Sequence, residues 1–144
     1  MVGTVQRYTE WNSGNSSIIE LGEACDVIGA NLYPFYVSLT NYTRNMEVLE
    51  TQLGNVQNYF PNQEVWITET GYPSGGSDCS SLQETSEECT EVYFKDVKEW
   101  ASENSDTPVF YFQYFDKETF ENQNDECSNF LGLCYAEGDA KFDF

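Results

Sequence analysis

The chain has 144 residues, with 6 Lys and Arg against 25 Asp and Glu, a formal net charge of −19 and no histidine. That balance argues against nucleic acid and anionic lipid as partners and fits an uncharged or cationic ligand. Without histidine there is no Ser/His/Asp or Cys/His nucleophile system and no ordinary zinc site, so carboxylates are the acid and base groups at hand.

In chain order, Val2 to Arg7 reads as a first strand, followed by a turn rich in Asn, Ser and Gly (Asn12 to Ser17) and a short helix from Ile18 to Ala24. Asp26 to Phe35 is a second, buried strand closed by Pro34. Met46, Leu49, Leu53, Val56 and Phe60 then alternate spacings of three and four, which puts one apolar stripe on a single helix face. Glu64 to Glu69 is the third strand. An acidic loop carrying Cys79 leads to a helix from Gln83 to Asn104, with Cys89, Tyr93, Val97 and Trp100 along the side that packs on the sheet. Pro108 introduces an aromatic strand, Val109 to Phe115, and the tail to Phe144 is rich in loops. Four strands with helical patterns between them have the rhythm of parallel βα units rather than of a sandwich.

Five cysteines stand at 25, 79, 89, 127 and 134. The close pairs Cys79/Cys89 and Cys127/Cys134 predict two short-range disulfides, with Cys25 left as a buried thiol or as the partner of a cysteine outside this chain. The sequons Asn15-Ser16-Ser17 and Asn41-Tyr42-Thr43 point towards the secretory pathway. No signal peptide opens the chain and no apolar run is long enough for a membrane span, so the expectation is a secreted, extracellular or cell-wall protein whose N-terminal part is missing.

The run from Val65 to Ser74, V-W-I-T-E-T-G-Y-P-S, is an apolar strand that delivers Glu69 to a rigid Gly71/Pro73 turn. It resembles the signature of glycoside hydrolase family 17, the β-1,3-glucanases of plants and fungi, with Tyr72 in place of the commoner tryptophan. Val2-Gly3-Thr4-Val5 resembles that family's fifth barrel strand, Asp26 to Tyr36 its sixth, and Val109 to Asp116 its eighth. Gly132-Leu133-Cys134-Tyr135 and Gly138-Asp139 resemble its closing segment. The implied fold is an α/β (β/α)₈ barrel. Such a barrel takes about 250 residues, so residues 1–144 are expected to form one incomplete domain, the last four βα units or half a barrel.

The resemblance implies hydrolysis of β-1,3-glucan with retention, without metal or cofactor, and assigns Glu69 as the nucleophile. Asn31 and Tyr33 match cleft positions, where an amide can hold a sugar hydroxyl and a phenol can orient the nucleophile; a capped strand end with a core aromatic is the ordinary alternative. Tyr72 and Phe115, beside the mouth, are the candidate sugar platforms. Glu10, Asp116 and Glu118 also stand near strand ends, where solvated surface carboxylates are common, and Asp116 is carried with the substrate-binding residues. A Gln113 stands where fungal-type members commonly have glutamate.

Retaining glycosidases use two carboxyl groups about 5 to 5.5 Å apart. The family's general acid sits in a G-N-E-like turn after strand four, and no such turn occurs here, so the acid is expected from a missing half or a second chain. The alternative is a non-catalytic glucan-binding or decoy module; a third reading is a truncated product that does not fold alone. Half a barrel also leaves open edges, through which self-association is expected.

Overall fold

The computed structural model describes residues 1–37, 42–77, 79, 81–118 and 125–144. Strands β1 (Gly3–Arg7), β2 (Val27–Asn31), β3 (Glu64–Thr70) and β4 (Val109–Tyr111) form one parallel sheet in the order β1-β2-β3-β4. Between them run α1 (Tyr8–Trp11) and α2 (Ser16–Glu23), then α3 (Asn45–Tyr59), then α4 (Glu87–Glu103). Sequential parallel strands joined by helices are the architecture of half a (β/α)₈ barrel.

Alternation along the strands decides what each face meets. Ile28, Ala30, Val65 and Ile67 point to the helices and are buried with Leu49, Leu53 and Val56 of α3, with Phe60 just after it, and with Tyr93 and Val97 of α4. Trp11 closes this core from α1. Its indole donates to the Gly29 carbonyl at 2.9 Å, and its ring meets Phe60 edge-on with centroids 5.2 Å apart. The opposite face carries Val5, Gly29 and Thr68. A Cβ at Gly29 would lie 2.7 Å from Val5 Cγ2 and 2.9 Å from Thr68 Cγ2, so glycine is what lets its neighbours close over the strand. Trp66 and Phe110 share this face, their rings 6.5 Å apart, and Val5 and Phe110 are about half exposed, at 49% and 53%.

The helices begin where the sequence offers caps. Asn15 accepts from the Ser17 amide at the start of α2, and Ser86 accepts from the Cys89 amide at the start of α4, with Glu87 and Glu88 on the positive end of that helix. The Ser86 cap explains why α4 starts at Glu87 rather than Gln83: Gln83 is buried, donating to the Pro34 carbonyl and exchanging hydrogen bonds with Asn45. The second strand ends at Asn31, because the proline at 34 opens a 3₁₀ turn, Pro34–Tyr36. The fourth ends at Tyr111, not Phe115. Beyond it the chain pairs with the tail, Gln113 N donating to Leu131 O and Leu133 N to Gln113 O. No helix among the described residues is long and apolar enough to cross a membrane.

The cysteine pairing differs from the expectation. A disulfide joins Cys79 to Cys127, with Cα atoms 5.4 Å apart across 48 residues of sequence, and Cys25, Cys89 and Cys134 are buried free thiols. Cys89 stands on the buried stripe of α4 with Tyr93, Val97 and Trp100 and faces the core, while Cys134 is held in the tail by bridges to Phe115 and Ala140. Neither is bonded to its sequence neighbour. The disulfide instead ties the loop after β3 to the 3₁₀ turn Glu126–Asn129. Ser77 adds two hydrogen bonds from its amide and hydroxyl to Glu126 Oε2, at 2.8 and 3.0 Å.

Closing a loop of that length is worth about 4 kcal/mol on the chain-entropy estimate. The double variant Cys79→Ala/Cys127→Ala should therefore lose about 2–4 kcal/mol in urea unfolding. Non-reducing peptide mapping should join the Cys79 and Cys127 peptides and find thiols at the other three positions. A Cys79–Cys89 or Cys127–Cys134 peptide would contradict this pairing.

Candidate active site

At the C-terminal ends of the strands lies a cleft of about 580 Å³, and Asn31, Tyr33 and Glu69 line it together. A break in strand register is what brings Glu69 there. Ala30 pairs with Ile67 but Asn31 pairs with Glu69, so Thr68 is one extra residue in β3. Ile67 and Thr70 both point to the helices, Thr70 sharing a 2.6 Å hydrogen bond with the Tyr93 phenol, and the two residues between them both turn to the other face. Regular alternation would have set Glu69 on the helix side with Val65 and Ile67.

The carboxylate is then held from β2. Tyr33 donates its phenol to Glu69 Oε2 at 2.8 Å, leaving Oε1 for the cleft. Burial first, then the hydrogen bond to Glu69 and its charge, push the Tyr33 phenol far above its ordinary value, so it remains a donor throughout the neutral range. Thr68 donates to Asn31 Oδ1 at 2.8 Å, which fixes the carboxamide and leaves its amide nitrogen for a ligand. The turn after Glu69 is close-packed. A Cβ on Gly71 would stand 2.1 Å from the Phe112 carbonyl oxygen, so only glycine lets β3 and the end of β4 approach here.

The other expected sugar contacts are not brought to the cleft. Tyr72 is fully buried among Phe35 and Tyr93, and its hydroxyl donates to the Glu84 carbonyl, so it has no ring face for a ligand. Phe115 is 47% exposed and packs edge-on against Tyr114, outside the cleft lining. Asp116 is a structural carboxylate: its side chain is 9% exposed and pairs at 2.7 Å with Lys141, itself 1% exposed. Asp116 Oδ1 also accepts from the Gly132 amide, and Lys141 donates on to Ser74 Oγ at 2.6 Å. Glu10 and Glu118 are exposed and absent from the cleft lining.

Conversely, Arg7, Tyr36, Gln52, Lys117 and Asp125 line the cleft without having been singled out in the sequence. Arg7 pairs with Asn31 across β1 and β2, so a charged last residue on a neighbouring strand was the available signal. Tyr36 donates to Asp125 Oδ2 at 3.1 Å, and Asp125 sits two residues before Cys127, in the turn the disulfide anchors. The phenol of Tyr36 is raised by burial first, then by the charge of Asp125 and that hydrogen bond, with Arg7 opposing. Two phenols thus each present a proton to a carboxylate of one cleft.

A family model described as the BtgE/BtgC glycoside hydrolase domain matches residues 1–132. Among curated proteins, a probable glucan endo-1,3-β-glucosidase of Aspergillus niger is 37% identical over 78 residues, which are 52% of this chain and 16% of that protein. A probable glucan endo-1,3-β-glucosidase of Emericella nidulans is 30% identical over 98 residues, 67% of this chain and 20% of that one. Among solved structures, an endo-laminarinase from Formosa superposes with a TM-score of 0.79 at 20% identity, over 96% of this chain and 44% of that one. An active-site mutant of a Rhizomucor miehei β-1,3-glucanosyltransferase in complex with laminaritriose gives 0.77 at 17% identity, over 96% and 47%. The chain spans about half of those structures and a fifth or less of those curated relatives. At these identities the structural likeness carries the fold.

The raised phenols have a pH consequence. A tyrosine whose folded pKa lies above its unfolded value of about 10 contributes stability that is complete below pH 10 and is lost as pH rises beyond it, because the unfolded chain gives up the proton first. The slope is at most about 1.4 kcal/mol per pH unit per phenol. Urea midpoints should hold steady from pH 7 to 9 and fall above about pH 10. The double variant Tyr33→Phe/Tyr36→Phe should fall less steeply there, and an identical fall in both proteins would contradict the assignment.

Proposed function

The chain belongs to the BtgE/BtgC glycoside hydrolase domain family, and on that footing we propose that it carries the nucleophile of a retaining β-1,3-glucan hydrolase. The observation that carries this reading is Glu69 turned into the cleft by the extra residue Thr68 and held through one oxygen by Tyr33. Further support comes from relatives named for glucan endo-1,3-β-glucosidase activity and from a structural neighbour that holds laminaritriose.

In this reading Glu69 Oε1 attacks the anomeric carbon as the glycosidic C–O bond breaks, giving a covalent glycosyl-enzyme that water then opens, for net retention. Tyr33 keeps the carboxylate aligned while its charge is consumed. The Asn31 amide donates to a sugar hydroxyl. The leaving oxygen needs a proton, and the acid that supplies it comes, in this proposal, from residues outside these 144. Asp125, the other carboxylate of the cleft lining, is engaged by Tyr36. An extracellular or cell-wall location is part of the proposal, supported by the disulfide and by Asn15, which is exposed and caps α2 through Oδ1, leaving Nδ2 for a glycan. The second sequon begins at Asn41, which lies outside the described residues.

The half-exposed Val5 and Phe110 on the open sheet face support pairing with a second copy, which the charge of −19 opposes at low salt. Light scattering should show mass rising with ionic strength; a monomer at every salt concentration would remove this part.

An activated 2-fluoro-laminaribioside with a dinitrophenolate leaving group needs no acid, and so isolates the nucleophilic step. Intact mass should rise by one 2-fluoro-laminaribiosyl group, mapped to the peptide containing Glu69. The label should vanish in Glu69→Gln and form about 10- to 100-fold more slowly in Tyr33→Phe, the worth of a hydrogen bond to a charged group. Laminarin, which needs the acid, should turn over about 10²- to 10⁴-fold more slowly than for a complete enzyme. Failure to label would leave the non-catalytic glucan-binding alternative standing, and a label on another carboxylate would contradict Glu69 as the nucleophile.

A further inference from the structure

Four of the residues that line the cleft, Phe112, Lys117, Ser128 and Leu131, lie beyond the last strand, in segments that the sheet does not hold. Backbone hydrogen bonds join these segments to each other, Gln113 N donating to Leu131 O at 3.0 Å and Lys117 N to Asn129 O at 3.1 Å. They meet the turn that follows Glu69 at Ser74, whose amide donates to the Phe130 carbonyl at 2.9 Å and whose hydroxyl accepts from Lys141 Nζ at 2.6 Å. The same ammonium stands 2.7 Å from the Asp116 carboxylate. One cation near the end of the chain thus joins the turn after β3 to the segment after β4.

Neither Lys141 nor Asp116 lines the cleft, but their contacts lie one residue behind its wall. Asp116 precedes Lys117, and Gly132, whose amide donates to Asp116 Oδ1 at 2.8 Å, follows Leu131. A Cβ at Gly132 would lie 2.2 Å from the Asp116 amide nitrogen, so the two segments are in close contact there. Arg44 and Lys95 pair with Glu47 and Glu91 in the open, whereas Lys141 is enclosed. Taking an ammonium out of water costs desolvation that its partner barely offsets, and methionine would fill the same space at less cost. What the buried pair adds over an apolar contact is direction, because charge-assisted hydrogen bonds fix the distances between the groups they join.

We propose that Lys141 is a positioning residue: with Asp116 and Ser74 it sets the spacing between the turn of Glu69 and the cleft wall of Lys117 and Leu131, and so holds the sugar where Glu69 reaches the anomeric carbon. The inference rests on the reading of Glu69 as a nucleophile. Glu69 itself is aligned from the β2 side by Tyr33, so the clamp acts on where the substrate sits rather than on the carboxylate.

The test uses the 144-residue chain and the activated 2-fluoro-laminaribioside, with labelling followed against reagent concentration to separate the limiting rate from half-saturation. Asp116→Asn/Lys141→Met removes both buried charges and keeps an acceptor for the Gly132 amide, so Tm should stay close to the parent's. The limiting rate should fall about 10- to 100-fold, the cost of an ångström-scale misplacement, with half-saturation changed less than about threefold. Ser74→Ala cuts the link to the turn while leaving the ion pair intact, and should lower the limiting rate by about three- to tenfold. That variant decides the matter if the double variant does not fold. A parental limiting rate in Ser74→Ala and in the folded double variant would overturn the proposal, making the pair a structural one and leaving Glu69 as nucleophile. Raised half-saturation with an unchanged limiting rate would overturn it as well, since the wall would then bind the sugar without orienting it. A parent that takes no label would remove the nucleophile reading and this inference together.

Discussion

One extra residue in β3 decides what the cleft can do. Between the pairs Ala30/Ile67 and Asn31/Glu69 the strand carries Thr68 as surplus, and this bulge turns two consecutive side chains to the same face. Thr68 then holds Asn31, and Glu69 meets the Tyr33 phenol. Both partners stand on β2 or the segment that leaves it, so the site is built across one strand boundary of a rigid sheet. Such placement limits how far the carboxylate can wander, which is what the attack proposed for Glu69 requires.

Behind the carboxylate the structure is braced on two sides. On the helix side Thr70 meets Tyr93, and Tyr72 fills the space between Phe35 and Tyr93 with its hydroxyl spent on Glu84. Farther along the turn, Ser74 is gripped by Lys141, whose ammonium is nearly inaccessible and is neutralised by Asp116. A buried ion pair adds little net stability, but removing one partner strands the other charge, so it fixes where the tail must lie. The Cys79–Cys127 disulfide does the same for the segment that brings Asp125 to Tyr36 at the rim. The motif around Glu69 is therefore less a set of ligand contacts than a support for one carboxylate.

Much of this was legible in the sequence, and the failures have specific causes. The apolar stripe of α3 and the four strand segments follow from periodicity, which burial enforces. The bulge does not, because Val65, Ile67 and Glu69 alternate as a regular strand would, and the break shows in the pairing of β3 with β2 and in the packing of Thr68 against Gly29 and Asn31. Tyr72 stands next to the site in sequence but past Gly71, where the turn carries it into the core. The cysteines misled for a different reason. Pairing by nearness ignored that Cys89 shares the stripe of Tyr93, Val97 and Trp100, a signal that it belongs to the interior. Gln52 carried a comparable signal, a polar residue among Leu49, Leu53 and Val56 on a buried helix face.

The charge of the chain, which fits an uncharged or a cationic ligand, is compatible with the neutral polyol proposed as the guest of the cleft. Whether the bulge aims Glu69 at such a guest is decided most directly by a crystal structure of the chain with laminaritriose bound. The account predicts a Glu69 oxygen about 3 to 3.5 Å from an anomeric carbon, with the Tyr33 phenol still on the other oxygen. A trisaccharide seated away from the cleft, or a Glu69 side chain lying on the helix face beside Val65 and Ile67, would contradict it.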